Sequence, residues 1–199
     1  MNNERLDRAL GAIDQANGAD PNTEMVAGQV YPKELLYATR MTQWLFRLRP
    51  EAGEMQQLAA RAQHICRWEI PRSDYPLTRE GYLRWRTQLY RFHSEKFAAI
   101  LEAQGYDKAA IDQAMRMVGK QGIKRDADVQ LIEDVACLVF LEHYFPAFVT
   151  DQPPEKIVDI VRKTWKKMSD EAQRAALTIH FPDHIKPLLT AALTPNVSA

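Results

Sequence analysis

The sequence predicts a single all-α domain built around one buried central helix. Apolar residues recur at spacings of three and four in one segment after another, which is the pattern of amphipathic helices. No run alternates apolar and polar residues in the way that a half-buried strand does. The 199 residues, 46% of them hydrophobic, are enough for one core and fewer than the length at which chains usually divide. We therefore expect one compact multi-helix domain over residues 1–199.

The composition favours a cytoplasmic protein over a secreted or membrane protein. No apolar run approaches the roughly 20 residues of a membrane span, and the first five residues are polar apart from Met1. The two cysteines, Cys66 and Cys137, have apolar neighbours and predict buried, reduced thiols. The formal net charge is zero, which argues against a protein that coats nucleic acid, although residues 61–91 are rich in arginine.

The first third of the chain predicts three helices. Apolar residues at helical spacing place them over Asn3–Asn17, Pro32–Leu48 and Ala52–Glu69. A turn follows the first helix at Gly18–Asn22. The prolines of Ile70–Pro76 prevent the third helix from continuing, so we expect a stiff loop there.

Cap residues mark the two helices in the middle of the chain. Thr78 is expected to cap a long helix that runs to about Gln104, where Gly105 ends it. His93 falls on the apolar side of this helix. A further amphipathic helix is predicted over Tyr106–Lys120.

The most apolar segment is Ala127–Val149, which we expect to be the central helix. It is too short to cross a membrane and too apolar on all sides for a surface helix. Pro153 and Pro154 open the next predicted helix, and Ser169 is expected to cap another. A short helix after Pro187 completes the C-terminal helices, which cover residues 153–193.

Four polar residues stand out because they lie in segments that otherwise favour burial: His64, His93, Glu133 and Asp134. Burial of such groups is costly without partners. Asp134 shares a helical face with Leu138, so it should point inward, where a carboxylate needs a cation, a metal ion or several hydrogen-bond donors. The candidate cations are Arg40, Arg61 and Lys120. A buried ion pair at Asp134 and hydrogen-bonded core histidines at the other positions are the structural alternatives.

The order of these residues resembles the HD-domain phosphohydrolase superfamily, whose helical core supplies histidines, a His-Asp pair and a late aspartate to metal ions. The resemblance covers about residues 31–149. It places His64 at the histidine of the pair, His93 at a further histidine and Asp134 at the late aspartate. Tyr37 stands where the first histidine would be and Ile65 where the paired aspartate would be, so the full metal set is absent.

The resemblance implies a site for one metal ion. His64, His93 and Asp134 would hold one divalent ion (Mn, Co, Mg, Fe or Zn) and leave a position open for an activated water. Glu133 and Lys120 would join Asp134 as catalytic groups. In the alternative, Lys120 and nearby arginines replace the charge of the metal, and the pocket binds an anion without metal-assisted hydrolysis.

Five arginines are candidates to hold a phosphoryl group, because a guanidinium matches phosphate oxygens bidentately. They are Arg40, Arg61, Arg67, Arg72 and Arg86. Aromatic residues are interleaved with the arginine-rich segment, a combination typical of surfaces that bind single-stranded RNA, although core packing explains most of them equally well. These aromatic residues are Trp68, Tyr75, Tyr82, Trp85 and Tyr90.

The whole chain also resembles an uncharacterised family, domain of unknown function 4202. The segments that carry the resemblance are Tyr37–Met41, Arg61–Ile65, Gly81–Arg86 and Leu131–Phe140. This second resemblance implies no activity.

Two functional hypotheses follow. The first is a divergent HD-like protein that binds a small phosphorylated or nucleotide-like anion, with hydrolysis by one divalent metal as its enzymatic form. The second is a metal-free binding or scaffold protein whose arginine-rich face takes an anionic partner or RNA. No membrane partner is expected. The remaining histidines, His143, His180 and His184, are interpreted as surface or packing residues.

Overall fold

A computed structural model describes residues 2–194, with side chains from residue 4 onward. The chain divides into two compact units, unit 1 (Met1–Ile132) and unit 2 (Glu133–Ala199). The elements of unit 1 are α1 (Asn2–Gly18), β1 (Thr23–Val26), β2 (Gln29–Pro32), α2 (Lys33–Leu48), α3 (Glu54–Arg61), α4 (Arg79–Ala103) and α5 (Lys108–Val118). The all-α fold class is confirmed, while the HD-like core and the single domain stay predictions.

The remaining elements begin with α6 (Ala127–Val139), which contributes residues to both units. Unit 2 continues with a π-helical segment (Phe140–Tyr144), α7 (Phe145–Thr150), α8 (Pro154–Lys167), α9 (Asp170–Ala176) and α10 (Lys186–Leu193). Within residues 2–194, no helix combines the length and the apolar character that a membrane crossing requires. The predicted cytoplasmic location stays a prediction.

The core of unit 1 lies between helices α1 to α5, which bury their apolar faces against one another. Its largest fully buried side chains are Ile13, Met41, Leu45, Leu58, Ile65, Phe97, Leu101, Met117 and Ile132. Both cysteines are buried, as predicted from their apolar neighbours. Burial of a side chain of this size contributes about 1.5 to 3 kcal/mol, so the packed helices hold the polar groups between them at defined positions.

A β-hairpin that the sequence analysis did not predict lies between α1 and α2. Strands β1 and β2 pair antiparallel, with Val26 opposite Gln29. The turn uses positive φ angles at Ala27 (51°) and Gly28 (81°), the geometry that suits a two-residue hairpin. Apolar and polar residues do not alternate here because the hairpin is not half-buried, and Met25 is 71% exposed.

Helix α3 is shorter than predicted. It ends at Arg61, and a turn followed by a 3-10 segment (Arg67–Glu69) replaces the expected continuation to Glu69. Cys66 has a φ of 52° in this turn, and its backbone amide donates to the buried Asn17 side chain at 3.2 Å. The prediction was wrong because a contact with Asn17, in a distant helix, stabilises a turn that no nearby proline or glycine indicates in the sequence.

Helix α4 begins where the sequence predicts. The Thr78 hydroxyl accepts a hydrogen bond from the amide of Gly81 at 3.1 Å, as an N-cap should. Gly81 also lets the preceding loop approach, because a Cβ at this position would lie 2.2 Å from the carbonyl oxygen of Pro76. The predicted end is confirmed as well, since Gly105 follows the helix with a φ of 77°.

The central helix is buried but not continuous. Its residues Val129, Ile132, Val135 and Leu138 are fully buried, as predicted. The predicted span to Val149 is divided, because a π-helical segment separates α6 from α7 and Pro146 lies in the first turn of α7. A proline lacks the amide that a continuing helix would need, and the wider π turn accommodates it.

Candidate functional site

The structure brings together two of the predicted site histidines in unit 1. The rings of His64 and His93 have centroids 5.8 Å apart. His64 lies in the turn after α3, and His93 lies in α4 on the face that also carries Tyr90, three residues earlier, and Arg86, seven residues earlier. We call His64, His93, Glu34 and Arg67 the histidine cluster.

His93 is the most unusual member of the histidine cluster. Its side chain is 1% exposed, and neither ring nitrogen has a hydrogen-bond partner among the described residues. Burial first, then the charges of Arg67 and Lys120, lower the pKa of His93 to about 3. A neutral imidazole still carries one N–H and one lone pair, so this ring can donate to one incoming group and accept from another.

His64 has a different group near each ring nitrogen. Its Nδ1 lies 3.5 Å from the Glu34 carboxyl oxygen Oε2, and its Nε2 lies 3.5 Å from Nη1 of Arg67. The ring stacks on Tyr37, with centroids 3.9 Å apart and an angle of 9° between the planes. The side chain is 25% exposed, so the ring is held in place and still reachable from solvent.

The electrostatic surroundings of His64 are positive. Its pKa lies well below the usual value because of burial first and then the charges of Arg67, His93, Lys120 and Arg86. A site at which cations disfavour a protonated imidazole also disfavours an added cation and favours an anion.

Glu34 is the member of the histidine cluster that the sequence analysis missed. Its Oε2 has no hydrogen-bond partner among the described residues, and burial raises its pKa to about 7 against the lowering effect of Arg67. The signal was present, because Glu34, Tyr37 and Met41 follow the spacing of one helix face and the other two are buried. A charged residue on such a face needs an explanation.

Arg67 is positioned by the loop that follows α3. Its guanidinium lies over the Trp85 ring, 4.7 Å from the centroid, and Trp85 in turn donates to the carbonyl of Ile70 at 2.9 Å. Trp85 is 8% exposed, so its face supports the arginine rather than offering a platform to solvent.

Two of the other predicted phosphate ligands are held in ion pairs. Arg61 binds both carboxylate oxygens of Asp14, at 2.5 and 2.8 Å. Arg40 lies 2.7 Å from Glu24. Such bidentate or close pairs hold the arginines as structural links between elements of unit 1.

The remaining predicted cations lie near the arginine-rich part of α4. Arg72 donates to the carbonyls of Tyr75 and Pro76, each at 2.8 Å, and so stabilises the proline-rich loop. Arg86 donates to the hydroxyls of Tyr82 and Tyr90. Lys120 follows α5 with a φ of 57°, and its ammonium lies 5.9 Å from the Tyr90 ring centroid. Left-handed backbone at a residue other than glycine costs about 1 kcal/mol or more and is concentrated at functional sites.

Comparison with models of protein families identifies the family of this chain. The model of the family described as domain of unknown function (DUF4202) matches residues 7–189. The chain belongs to the DUF4202 family. Neither the comparison with curated proteins nor the comparison with solved structures gave a match. The DUF4202 match therefore extends over both the histidine cluster and the unit 2 residues that the sequence analysis singled out.

In this DUF4202 protein the third predicted metal ligand, Asp134, belongs to unit 2, where it has a structural role. Its side chain is 4% exposed and accepts hydrogen bonds from the Ser169 amide at 2.8 Å and the Ser169 hydroxyl at 2.5 Å. Ser169 itself caps α9 by accepting from the amide of Ala172. Several donors were one of the three ways in which a buried Asp134 was expected to be satisfied, and the structure shows this one.

Glu133, predicted as catalytic, is also buried in unit 2, with its Oε1 3.7 Å from the ammonium of Lys167. Within residues 2–194, no three His, Cys, Asp or Glu side chains are grouped so that they could hold a metal ion. The three-ligand metal site and the catalytic roles of Asp134, Glu133 and Lys120 stay predictions.

Proposed function

We propose that the protein binds the phosphoryl group of a small phosphorylated or nucleotide-like ligand at the histidine cluster of unit 1. The observation that carries the proposal is the state of His93, which is buried beside His64 and whose ring nitrogens both lack a partner within residues 4–194. A buried donor without an acceptor costs about 1 to 3 kcal/mol, and a phosphoryl oxygen would remove that cost.

The charges near the cluster support an anion as the ligand. Arg67 lies within 3.5 Å of His64, and Lys120 and Arg86 act on the same ring. Phosphoryl oxygens accept hydrogen bonds from guanidinium and imidazole groups alike, and they attract each of these cations. The exposed quarter of the His64 side chain provides access.

Isothermal titration calorimetry with inorganic phosphate and a panel of phosphate monoesters, including nucleoside monophosphates, tests this proposal. Arg67→Met should weaken binding on the order of 10- to 100-fold, since it removes a charged donor. The matched control is Arg84→Met, which removes the same charge from an exposed position of α4 and should leave affinity within about twofold. Equal effects of the two variants, or no binding by the wild-type protein, would refute the proposal.

The reverse result would favour the arginine-rich face as the binding surface. In that case Arg84→Met and Arg86→Met weaken the binding of an RNA oligonucleotide, His64→Ala leaves it unchanged, and affinity falls steeply with salt because phosphate contacts release counterions. The exposed ring of Tyr82, next to Trp85, would then be a stacking residue.

Metal-assisted hydrolysis of the ligand is the second candidate: the neighbouring imidazoles of His64 and His93 favour it, whereas the charges of Arg67, Lys120 and Arg86 oppose a bound cation. A divalent ion would supply Lewis-acid polarisation and an activated water. Metal analysis of protein purified without chelator, followed by a phosphatase panel with manganese, cobalt and magnesium, checks this candidate. Stoichiometric metal and turnover would support hydrolysis. Phosphate binding without bound metal or turnover would leave binding as the only supported function.

A further inference from the structure

His64 has a carboxyl group beside one ring nitrogen and a guanidinium beside the other. The Glu34 carboxyl lies 3.5 Å from Nδ1, and Arg67 lies 3.5 Å from Nε2. An acceptor beside Nδ1 favours the tautomer that carries its proton there, which leaves the lone pair on Nε2. The Tyr37 ring, stacked at 3.9 Å, holds the imidazole plane against rotation.

We propose that Nε2 of His64 accepts a phosphoryl group from a small phosphoryl donor, so that the protein carries a phosphohistidine. The inference rests on the proposed phosphoryl binding at the histidine cluster and adds a covalent step to it. Of the cluster's two imidazoles, His64 is the one open to solvent, because its side chain is 25% exposed, whereas His93 is 1% exposed and would contribute a hydrogen bond rather than the nucleophile.

The step balances without an added oxidant or metal. The Nε2 lone pair forms the N–P bond while the bond from phosphorus to the leaving group breaks, and that electron pair departs with the leaving group. The ionised Glu34 carboxylate, 3.5 Å from Nδ1, closes to hydrogen-bond distance, takes the Nδ1 proton and releases it through solvent to the leaving group, so the phosphorylated imidazole is neutral. The pKa of Glu34, about 7, suits a group that accepts and then releases a proton near neutral pH.

The surrounding groups fit the charge that develops in this step. The guanidinium of Arg67 lies where the phosphoryl oxygens would gather around Nε2. A neutral imidazole is required for attack, and burial together with Arg67 keeps the pKa of His64 low enough for that form to dominate. Arg67 thus both favours the nucleophilic form and stabilises the transferred group.

Incubation of the full chain with phosphoramidate or acetyl phosphate, followed by intact mass measurement and peptide mapping, tests the proposal. The expected product is one phosphoryl group on His64, labile in acid and stable in alkali. His180 is the internal control, because it is exposed and lies in unit 2. His64 should be labelled about tenfold or more faster than His180, since only His64 has the flanking groups. Equal labelling of the two would overturn the proposal.

Variants distinguish the covalent step from the binding step. His64→Asn should abolish the adduct, and circular dichroism would verify that the variant is folded. Glu34→Gln should slow phosphoryl transfer about tenfold and raise the affinity for inorganic phosphate, because it removes the proton acceptor and a negative charge. An unchanged transfer rate in a folded Glu34→Gln variant would reject the assigned role of Glu34.

Calorimetry with inorganic phosphate, combined with the adduct measurement, shows whether the binding proposal, the phosphohistidine proposal or both have failed. Phosphate binding without an adduct would end the phosphohistidine proposal and leave the proposed function standing. Neither binding nor adduct would end both. An adduct on His64 without measurable phosphate binding would support the covalent step and reject reversible binding as the function.

Discussion

The buried polar groups of the two units are satisfied to very different degrees. In unit 2, both carboxylate oxygens of Asp134 accept hydrogen bonds from Ser169, which also caps a helix. In unit 1, His93 has no hydrogen-bond partner among the described residues, although it is equally buried. Because a satisfied buried group stabilises the fold and an unsatisfied one weakens it, the difference supports the proposal that the histidine cluster binds a ligand.

We expect the largest change in stability from substitution of Asp134, the hydrogen-bonded carboxylate of unit 2. Asp134→Ala removes two hydrogen bonds to a buried carboxylate and leaves their Ser169 donors without this acceptor, so it should lower the free energy of unfolding by about 2 to 4 kcal/mol. Urea denaturation measures this change. The affinity for inorganic phosphate should stay within about twofold of the wild type.

The same variant also tests the predicted three-ligand metal site. Loss of both phosphate binding and bound metal in a folded Asp134→Ala protein would show that Asp134 belongs to the ligand site and does not only stabilise unit 2. A destabilised protein with intact phosphate affinity would support the structural role of Asp134.

The next largest effect is the pH dependence of stability that His93 introduces. Its pKa is about 3 in the folded protein and about 6.5 when unfolded, so the unfolded chain binds the extra proton between these values. The contribution of a neutral His93 to the free energy of unfolding is complete above pH 6.5 and is lost as the pH falls towards 3. We expect the wild type to lose about 2 kcal/mol more than His93→Gln between pH 6.5 and 5 in urea denaturation. Parallel pH profiles of the two proteins would contradict the buried, neutral state of His93.

Glu34 should show a smaller effect of opposite sign. Its pKa of about 7 in the folded protein exceeds the usual 4.5, so the folded chain holds the extra proton between these values. The stability that a protonated Glu34 contributes is complete below pH 4.5 and is lost as the pH rises through 7. Glu34→Gln should therefore gain about 1 kcal/mol or more relative to the wild type between pH 5 and 7.5, measured in the same way. The charged groups that act on Glu34 are Arg67, Asp20, Lys33 and Glu24. A constant difference between the two proteins would show that Glu34 is ionised throughout.

Local signals predicted much of the fold because they act within one turn of chain. Thr78 and Ser169 cap the helices that they were expected to cap, since a hydroxyl and an amide three residues later need no distant partner. Gly105 ends α4 for the same reason. The burial of Val129, Ile132, Val135 and Leu138 followed from the number of apolar residues on every side of this segment.

Features that depend on distant contacts could not be predicted in the same way. The end of α3 depends on Asn17, which belongs to a different helix and accepts from the amide of Cys66. For the candidate site, the pairing of His64 with His93 was expected, whereas the approach of Glu34 was not, because it requires the start of α2 to meet the turn after α3. The spacing of Glu34 and Tyr37 could have identified the buried face of the helix but not the element that packs against it.

If His64 and His93 share a site for a phosphoryl anion, NMR of the histidine ring nitrogens should detect binding at both rings. The chain has five histidines, and three of them, His143, His180 and His184, lie in unit 2. On titration with inorganic phosphate, the ring nitrogens of His64 and His93 should shift together with one saturable affinity while the other three stay in place. Shifts confined to the unit 2 histidines, or no shifts at saturating phosphate, would rule out a shared phosphoryl site at His64 and His93.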